Sequence, residues 1–272
     1  MENKLHRLGK RDFLQKVRQY YELTTPAYLR CLGTSLQCGC IRLPNSSPEY
    51  KTSNLYLANR AGIMQGELIL DAGCGVCGPS TDIAEAIPNL TIFSATISTS
   101  QAKIARKSIT IKNLSPHITV FVTDYHYLPF VNDFFDRVLF IESSEHSYDQ
   151  FKLFCETFRV LKPGGILYIK AVFIQDRTLS EDETRLLFEG QQIYASQLTT
   201  MQQTTNQITE AGFLIIHSQA LDDIIDTAPF AAAMVEHRED SNTFTELGKM
   251  HRRPTTMNVL APVHFGEIVA QK

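Results

Sequence analysis

The sequence contains no tryptophan, and its 272 residues include no uninterrupted apolar run of about 18 residues, which a membrane-spanning helix needs. The formal net charge is only −3, so no overall charge excess favours nucleic acid or an anionic membrane as a partner. Residues 1–7 lack the apolar segment and the small-residue cleavage site of a secretory signal peptide. These absences predict a cytoplasmic protein with no membrane span and no nucleic-acid partner.

Metal-ligand spacing is also missing. The six cysteines are expected to be reduced, because disulfides are rare in the cytoplasm. Cys38 and Cys40 are too close for the usual zinc spacing, and no second Cys/His pair follows at the distance of a zinc finger. Cys74 and Cys77 fall within a glycine loop that has another explanation. No paired carboxylates have metal-ligand spacing either, so no metal is predicted.

From residue 67 onwards, short apolar segments alternate with helical patterns. The first segment ends at glycines, as expected of a buried parallel strand. This alternation is typical of successive right-handed βαβ units, which form a parallel sheet with helices on both faces. The chain is therefore predicted to have an α/β fold. The predicted strands are 67–71, 90–97, 118–122, 137–141 and 166–172, and the predicted helices are 79–86, 101–111 and 148–161.

Helical patterns flank this region at both ends. Residues 11–32 carry apolar and aromatic residues at helical spacing, which Pro26 is predicted to interrupt, and residues 33–50 are predicted to be a loop. We predict one structural domain, with an N-terminal helical cap segment at 1–60 and a core at 61–272 that carries a cap insertion around 178–258. The remaining predicted elements are helices at 54–61, 181–195, 199–211 and 221–250, and strands at 213–217 and 265–270.

A glycine-rich turn follows the first strand. Gly73, Gly75 and Gly78 come after Asp71 and would let the backbone approach a ligand, at the strand end where open α/β sheets bind ligands. A dinucleotide-binding loop has a similar pattern, but it is followed about 20 residues later by an acid that binds the ribose. The second strand ends in residues 94–98 without an acid, and Asp71 stands where dinucleotide loops usually carry an apolar residue. Both features disfavour a dinucleotide cofactor.

The segment Asp71-Ala-Gly-Cys-Gly-Val-Cys-Gly-Pro-Ser80 resembles motif I of the class I S-adenosylmethionine-dependent methyltransferases. It is most similar to the branch that holds sterol and geranyl diphosphate C-methyltransferases, cyclopropane fatty acid synthases and natural-product O-methyltransferases. The resemblance implies a Rossmann-like fold with a mostly parallel seven-stranded sheet, an antiparallel C-terminal strand and an α-helical cap. Further segments that match this branch are 20–28, 96–101, 123–130, 135–146, 160–165 and 210–213.

The resemblance also implies which residues bind S-adenosylmethionine. Packing on a helix face is the alternative role for each tyrosine among them. Cys77 departs from the family pattern, which usually has glycine there, and a left-handed backbone at Cys77 would cost about 1 kcal/mol. Residues 33–37 replace a Trp-Gly-x-Ser-x-His-like segment of the family. The implied residues are Tyr20, Tyr21 and Tyr28 over the methionine end, Asp71, Gly73 and Gly75 at its amine and carboxylate, Thr96, Ser98 and Gln101 at the ribose, Asp124 and Tyr125 at the adenine, and Glu142 along the pocket.

A base is needed if the small-molecule acceptor is a hydroxyl. His146, which follows the fourth strand, is predicted to be this base, because its ordinary pKa near 6.5 suits the task. Nearby Glu142 is the second candidate catalytic residue. Three functions stay open: O-methylation of a polyketide, peptide or glycosylated metabolite, C-methylation of an isoprenoid alkene, and binding of S-adenosylmethionine without catalysis. Aromatic faces would stabilise the carbocation of C-methylation, so the absence of tryptophan favours O-methylation.

Overall fold

Short apolar segments rich in β-branched residues form the strands of this protein. The computed structural model describes residues 9–42, 49–228, 230 and 262–272. The strands within these residues are β1 (Cys40–Ile41), β2 (Leu68–Ala72), β3 (Thr91–Thr96), β4 (Ile118–Val122), β5 (Phe135–Ile141), β6 (Leu161–Ile174), β7 (Leu214–Ala220), β8 (Ile225–Asp226) and β9 (Val263–Gln271).

Among the described strands, seven form one sheet in the order β4-β3-β2-β5-β6-β9-β7. Neighbours from β4 to β6 are parallel, whereas β9 runs antiparallel between β6 and β7. The predicted mostly parallel seven-stranded sheet with an antiparallel C-terminal strand is therefore confirmed. The chain leaves β2 towards β3 on one side and later returns to β5 on the other. The carboxyl end of β2 is thus the switch point at which such sheets bind ligands.

Helices cover both faces of the sheet because successive strand residues point to opposite faces. Ile69 of β2 is in an apolar core with Leu57 and Ile83, which belong to two helices on one face. Its neighbour Leu70 is in a second core with Phe154, on the other face. The described helices are α1 (Lys10–Leu32), α2 (Tyr50–Arg60), α3 (Gly78–Ala86), α4 (Thr99–Ile111), α5 (Gln150–Val160), α6 (Glu181–Tyr194) and α7 (Met201–Glu210).

Helix α1 continues through Pro26, so the prediction that this proline interrupts the helix is wrong. A proline inside a helix removes one backbone hydrogen bond and costs about 3 kcal/mol. Here the helix is buried on both sides of the proline: Tyr20 before it and Tyr28 after it pack in a third apolar cluster together with Phe230. Burial of this face offsets the local cost of the proline.

The helix predicted over 221–250 is wrong for residues 221–227, whereas Ala228 and Phe230 are helical. Strand β8 pairs antiparallel with β1, so the predicted loop at 33–50 also contains a strand. The backbone N–H of Arg42 donates to the carbonyl of Ile224 at 2.7 Å, which extends this pairing. Pairing between segments so distant in sequence leaves no local pattern. Apart from Phe230, residues 229–261 lie outside the described residues, and this includes the rest of the predicted helix and of the cap insertion around 178–258.

Helices α1 and α6 both lie at the carboxyl end of the sheet, where they border the cavities described below. The division into a cap segment and a core remains a prediction. Within the described ranges, no helix is both long enough and apolar enough to cross a membrane.

Candidate active site

Two adjoining cavities lie beyond the carboxyl ends of the central strands. The first, which we call the glycine-loop cavity, has a volume of about 770 Å³ and is bordered by residues that follow β2, β3, β4 and β5. The second, which we call the α6 cavity, has a volume of about 1250 Å³ and lies between α1, α6 and β6. Tyr21, Leu36, Glu142 and His146 border both cavities. These four residues form the junction at which two ligands would meet.

The turn after β2 brings backbone segments into close contact. A Cβ on Gly73, which has φ of 89°, would lie 2.4 Å from the Cβ of Ser143, and a Cβ on Gly78 would lie 2.3 Å from the carbonyl oxygen of Thr34. Cys77, the residue before α3, has φ of 67° and therefore a left-handed backbone. This is the conformation expected at a position where the family usually has glycine. Glycine at positions 73 and 78 is therefore required by packing, and Cys77 carries a strain of about 1 kcal/mol.

Asp71 lies at the end of β2 and borders the glycine-loop cavity, although its side chain is largely buried. Its Oδ2 accepts a hydrogen bond from Ser80 Oγ at 2.5 Å, and Ser80 Oγ lies 2.9 Å from Ser94 Oγ. Burial raises the pKa of Asp71 to about 6, against the opposing effect of the Ser80 hydrogen bond. The carboxyl group thus ties the first turn of α3 to the adjacent strand.

Thr96 and Gln101 border the glycine-loop cavity from the end of β3 and the start of α4. Thr96 Oγ1 donates to Gln101 Oε1 at 2.8 Å, and Gln101 Nε2 donates to Thr25 Oγ1 of α1 at 3.1 Å. Ser98 does not border the cavity; its Oγ caps α4 by accepting from the backbone N–H of Gln101. Two of the three predicted ribose residues therefore face the cavity, and the third shapes the helix that carries one of them.

The segment after β4 places Asp124 and Tyr125 on the glycine-loop cavity. Asp124 Oδ1 accepts from both the backbone N–H and the Nδ1 of His126, at 3.0 and 2.5 Å. Burial raises the pKa of Asp124, but the hydrogen bonds from His126 outweigh burial and lower it overall. Tyr125 OH donates to the carbonyl of Ser143 at 3.0 Å.

Glu142 follows β5 with a left-handed backbone (φ of 49°) and acts as a clamp. Its Oε1 forms a buried ion pair with Lys170, and its Oε2 accepts from the backbone N–H of Cys38 at 2.6 Å. Lys170 also donates to the carbonyl of Gly39 at 2.6 Å and to Gln37 Oε1 at 3.1 Å. Both carboxylate oxygens are therefore engaged in holding the loop after α1 against β6, which leaves Glu142 poorly placed to accept a proton.

His146 lies at the junction of the two cavities, at the end of a short 3-10 helix (Ser144–His146). Its Nδ1 is 3.0 Å from the carbonyl oxygen of Ala195, and its Nε2 is 2.6 Å from the hydroxyl of Tyr21. A carbonyl only accepts, so Nδ1 carries the hydrogen and Nε2 accepts from the tyrosine. Burial lowers the pKa of His146. The imidazole is therefore neutral at pH 7, with its lone pair at the junction.

Glu145, on the same short helix, borders the α6 cavity. It is only 7% exposed, and its Oε2 has no hydrogen-bond partner among the described residues. Burial raises the pKa of Glu145 to about 8, so the carboxyl group is largely protonated at neutral pH. Sequence reasoning did not select Glu145, nor Gln37 and Lys170, because their roles depend on burial and on contacts between distant segments.

Most of the predicted site residues come together, although their separate roles stay predictions. Tyr20 and Tyr28 lie instead on the α6 cavity, where their hydroxyls are 2.5 Å apart. No cluster of three or more potential metal ligands occurs in the described part of the chain. The predicted residues that border the glycine-loop cavity are Tyr21, Asp71, Gly73, Gly75, Thr96, Gln101, Asp124, Tyr125, Glu142 and His146.

Residues 10–244 match the model of a family described as mycolic acid cyclopropane synthetase. The chain belongs to this family. The family lies within the branch of class I S-adenosylmethionine-dependent methyltransferases that the sequence motifs indicated, so that resemblance is confirmed. S-adenosylmethionine is the cofactor of this family.

Three known proteins illustrate the similarity. A sterol 24-C-methyltransferase of Aspergillus fumigatus is 28% identical over 225 residues, which cover 80% of this chain and 59% of that protein. The chain therefore spans about six tenths of the length of this relative. The fold is shared with the [4+2]-cyclase SpnF (TM-score 0.82, 21% identity, 95% of both chains covered). It is also shared with the cyclopropane synthase MmaA2 of Mycobacterium tuberculosis (TM-score 0.79, 17% identity, 95% of this chain and 98% of that chain).

The glycine-loop cavity fits S-adenosylmethionine. The N-terminus of α3 offers backbone N–H groups to a carboxylate, whereas those of Gly73 and Cys74 donate to the carbonyl of Ala95. Thr96 and Gln101 bring a hydroxyl and an amide to the same cavity, and both groups are able to hydrogen-bond to a sugar hydroxyl. His126 binds Oδ1 of Asp124, so Oδ2 is the carboxylate oxygen that is able to accept from an amine in the cavity. Polar groups of matching chemistry thus follow one another around the cavity.

Proposed function

We propose that this protein is an S-adenosylmethionine-dependent methyltransferase that methylates a hydroxyl of a small-molecule natural product, such as a polyketide, a peptide or a glycosylated metabolite. The observation that carries the proposal is the position of His146, a neutral base whose Nε2 accepts from the Tyr21 hydroxyl at the junction of the glycine-loop cavity and the α6 cavity. A hydroxyl placed at this junction would meet both the base and the cofactor.

The residues at the junction have separate roles. When bound, S-adenosylmethionine supplies an electrophilic methyl group on a sulfonium sulfur. An acceptor hydroxyl at the junction gives its proton to the Tyr21 oxygen while Tyr21 passes its own proton to His146 Nε2, which makes the acceptor oxygen more nucleophilic. The carbonyl of Ala195 holds the imidazole in the required tautomer. Burial raises the pKa of Tyr21 well above its ordinary range, so its hydroxyl remains a donor and orients the reacting groups.

The walls of the α6 cavity favour an amphiphilic acceptor. Leu186 and Leu187 of α6, Val172 of β6 and Phe265 of β9 provide apolar surface. This cavity is the roomier of the two adjoining cavities. A large and mostly apolar metabolite with one hydroxyl directed to the junction suits this shape.

C-methylation of an isoprenoid alkene is the second candidate. It is favoured by the rings of Tyr20, Tyr28 and Tyr194, which border the α6 cavity and would stabilise a carbocation. The sequence similarity to a sterol 24-C-methyltransferase supports the same alternative.

The two candidates are separated by the atom that receives the methyl group. The protein is incubated with S-adenosylmethionine carrying a deuterated methyl group and with hydroxylated polyketide lactones, glycosides, geranyl diphosphate and a Δ24 sterol. NMR of the products then locates the label on oxygen or carbon. Label on oxygen supports the proposal, and label on carbon alone overturns it in favour of the second candidate.

The cofactor assignment has its own test. Calorimetry with S-adenosylhomocysteine is expected to show binding, which Asp124→Ala weakens by about 1–3 kcal/mol if the carboxylate binds the adenine amine. A wild-type protein that does not bind S-adenosylhomocysteine would refute the assignment, and with it the proposed activity. Methyl transfer would then need no further test.

A further inference from the structure

We infer that His126 is a positioning residue that fixes the Asp124 carboxylate for recognition of the cofactor's adenine. The inference rests on the proposed contact between Asp124 and the adenine amine. His126 itself does not border either cavity. Its effect on a ligand would therefore pass through Asp124.

A continuous series of hydrogen bonds connects Asp124 with residues buried in the interior of the protein. His126 Nδ1 is 2.5 Å from Asp124 Oδ1, and His126 Nε2 is 2.7 Å from Ser147 Oγ. The backbone N–H of Asp149 donates to Ser147 Oγ at 3.1 Å. The imidazole and Ser147 are buried, at 1% and 0% exposure. The chain of contacts is therefore shielded from competing water.

The donors and acceptors along this chain define one direction. Ser147 Oγ already accepts from the Asp149 N–H, so its own hydrogen is available to His126 Nε2. His126 Nδ1 then carries the ring hydrogen and donates it to Asp124 Oδ1. This oxygen also accepts from the His126 backbone N–H at 3.0 Å, so it is saturated by two donors.

The consequence is that Oδ2 is the oxygen left to face a ligand. Lys10 Nζ lies 3.9 Å from this oxygen. The His126 ring cannot swing away readily, because it packs against the tilted ring of Tyr148 with centroids 3.8 Å apart and lies 5.0 Å from the ring of Tyr125. A carboxylate held in this way offers only an acceptor. It would bind the exocyclic amine of adenine and would repel the carbonyl oxygen of hypoxanthine at the same place.

The test compares S-adenosylhomocysteine with S-inosylhomocysteine, in which that amine is replaced by a carbonyl. Calorimetry on wild type, His126→Leu and His126→Asn gives the ratio of the two dissociation constants. We expect His126→Leu to lower the wild-type preference for the adenine form about tenfold, because one charge-assisted hydrogen bond fixes the carboxylate. His126→Asn keeps an N–H donor in the place of Nδ1 and should restore most of the preference.

A merely structural role gives a different result. If His126→Leu weakens both ligands by the same factor, the ratio is unchanged and the inference is overturned. If the wild type binds neither ligand, the cofactor assignment fails instead. Should His126→Leu not fold, as judged by circular dichroism, Ser147→Ala removes only the outer donor. It is expected to lower the ratio about two- to threefold, and an unchanged ratio overturns the inference.

Discussion

Replacing Lys170 with methionine removes a buried positive charge while keeping a side chain of similar length. The Lys170 side chain is fully buried, and that of Glu142 is 5% exposed. The ammonium group donates to Glu142, to the carbonyl of Gly39 and to Gln37 Oε1. The substitution therefore breaks three hydrogen bonds and leaves a buried carboxylate without its counter-charge.

The expected loss follows from this geometry. Removing one partner of a buried ion pair costs about 3–5 kcal/mol, because the remaining charge stays desolvated. A typical domain unfolds with a free energy of only about 5–15 kcal/mol, so this change would remove a large part of the stability. Replacing Glu142 with glutamine as well should recover part of the loss, since no isolated charge then remains. The two sites should be coupled by about 1–3 kcal/mol.

Urea denaturation of the wild type, both single variants and the double variant forms a thermodynamic cycle that measures this coupling. Lys112→Met is a matched control, because Lys112 pairs with Glu85 at the surface, 2.9 Å away, and such pairs contribute at most about 1 kcal/mol. A Lys170→Met loss no larger than that of the control would refute the reasoning. Strictly additive effects of Lys170→Met and Glu142→Gln would refute it as well.

Three further predictions concern the site and the cysteines. His146→Gln should lower kcat/KM for a hydroxyl acceptor about 10²- to 10⁴-fold, as measured with labelled S-adenosylmethionine. The control His117→Gln should leave kcat/KM unchanged, because His117 lies before β4 and contacts the Leu90 carbonyl. Equal effects of the two substitutions would contradict the assigned base. The base must be neutral to accept a proton, and burial lowers the pKa of His146 below the ordinary histidine value of 6.5. We therefore expect kcat/KM to stay constant as the pH falls to 6.5 and to decrease only below that pH. A decrease centred above pH 6.5 would contradict this expectation. Exposed Cys155 should react with a thiol reagent in the native protein, whereas buried Cys74 and Cys77 should react only on unfolding. Burial also raises the pKa of the Cys74 thiol, which lowers its reactivity further. Rapid labelling of Cys74 in the folded protein would contradict this prediction.

The predictions made from the sequence succeeded where the signal is local. Apolar segments such as that of β2 differ in period from the helical segments beside them, so the order of strands and helices can be read directly. The glycine pattern after Asp71 reflects backbone conformations and close approaches that few other residues allow. The helix predicted through 221–250 failed over residues 221–227 because β8 pairs with β1, and neither segment carries a sign of its partner.

Within the site, the sequence determined which residues follow each strand, and parallel strands bring those ends together. It therefore predicted a cavity with Asp71, Thr96 and Asp124 around it. Only the tertiary structure placed Tyr20 on the α6 cavity and engaged both oxygens of Glu142 in a clamp. These outcomes depend on burial and on contacts between segments more than 70 residues apart, such as Lys170 with the loop after α1. Residue type fixes what a side chain is able to do, whereas its partners and its burial, which arise only on folding, decide what it does.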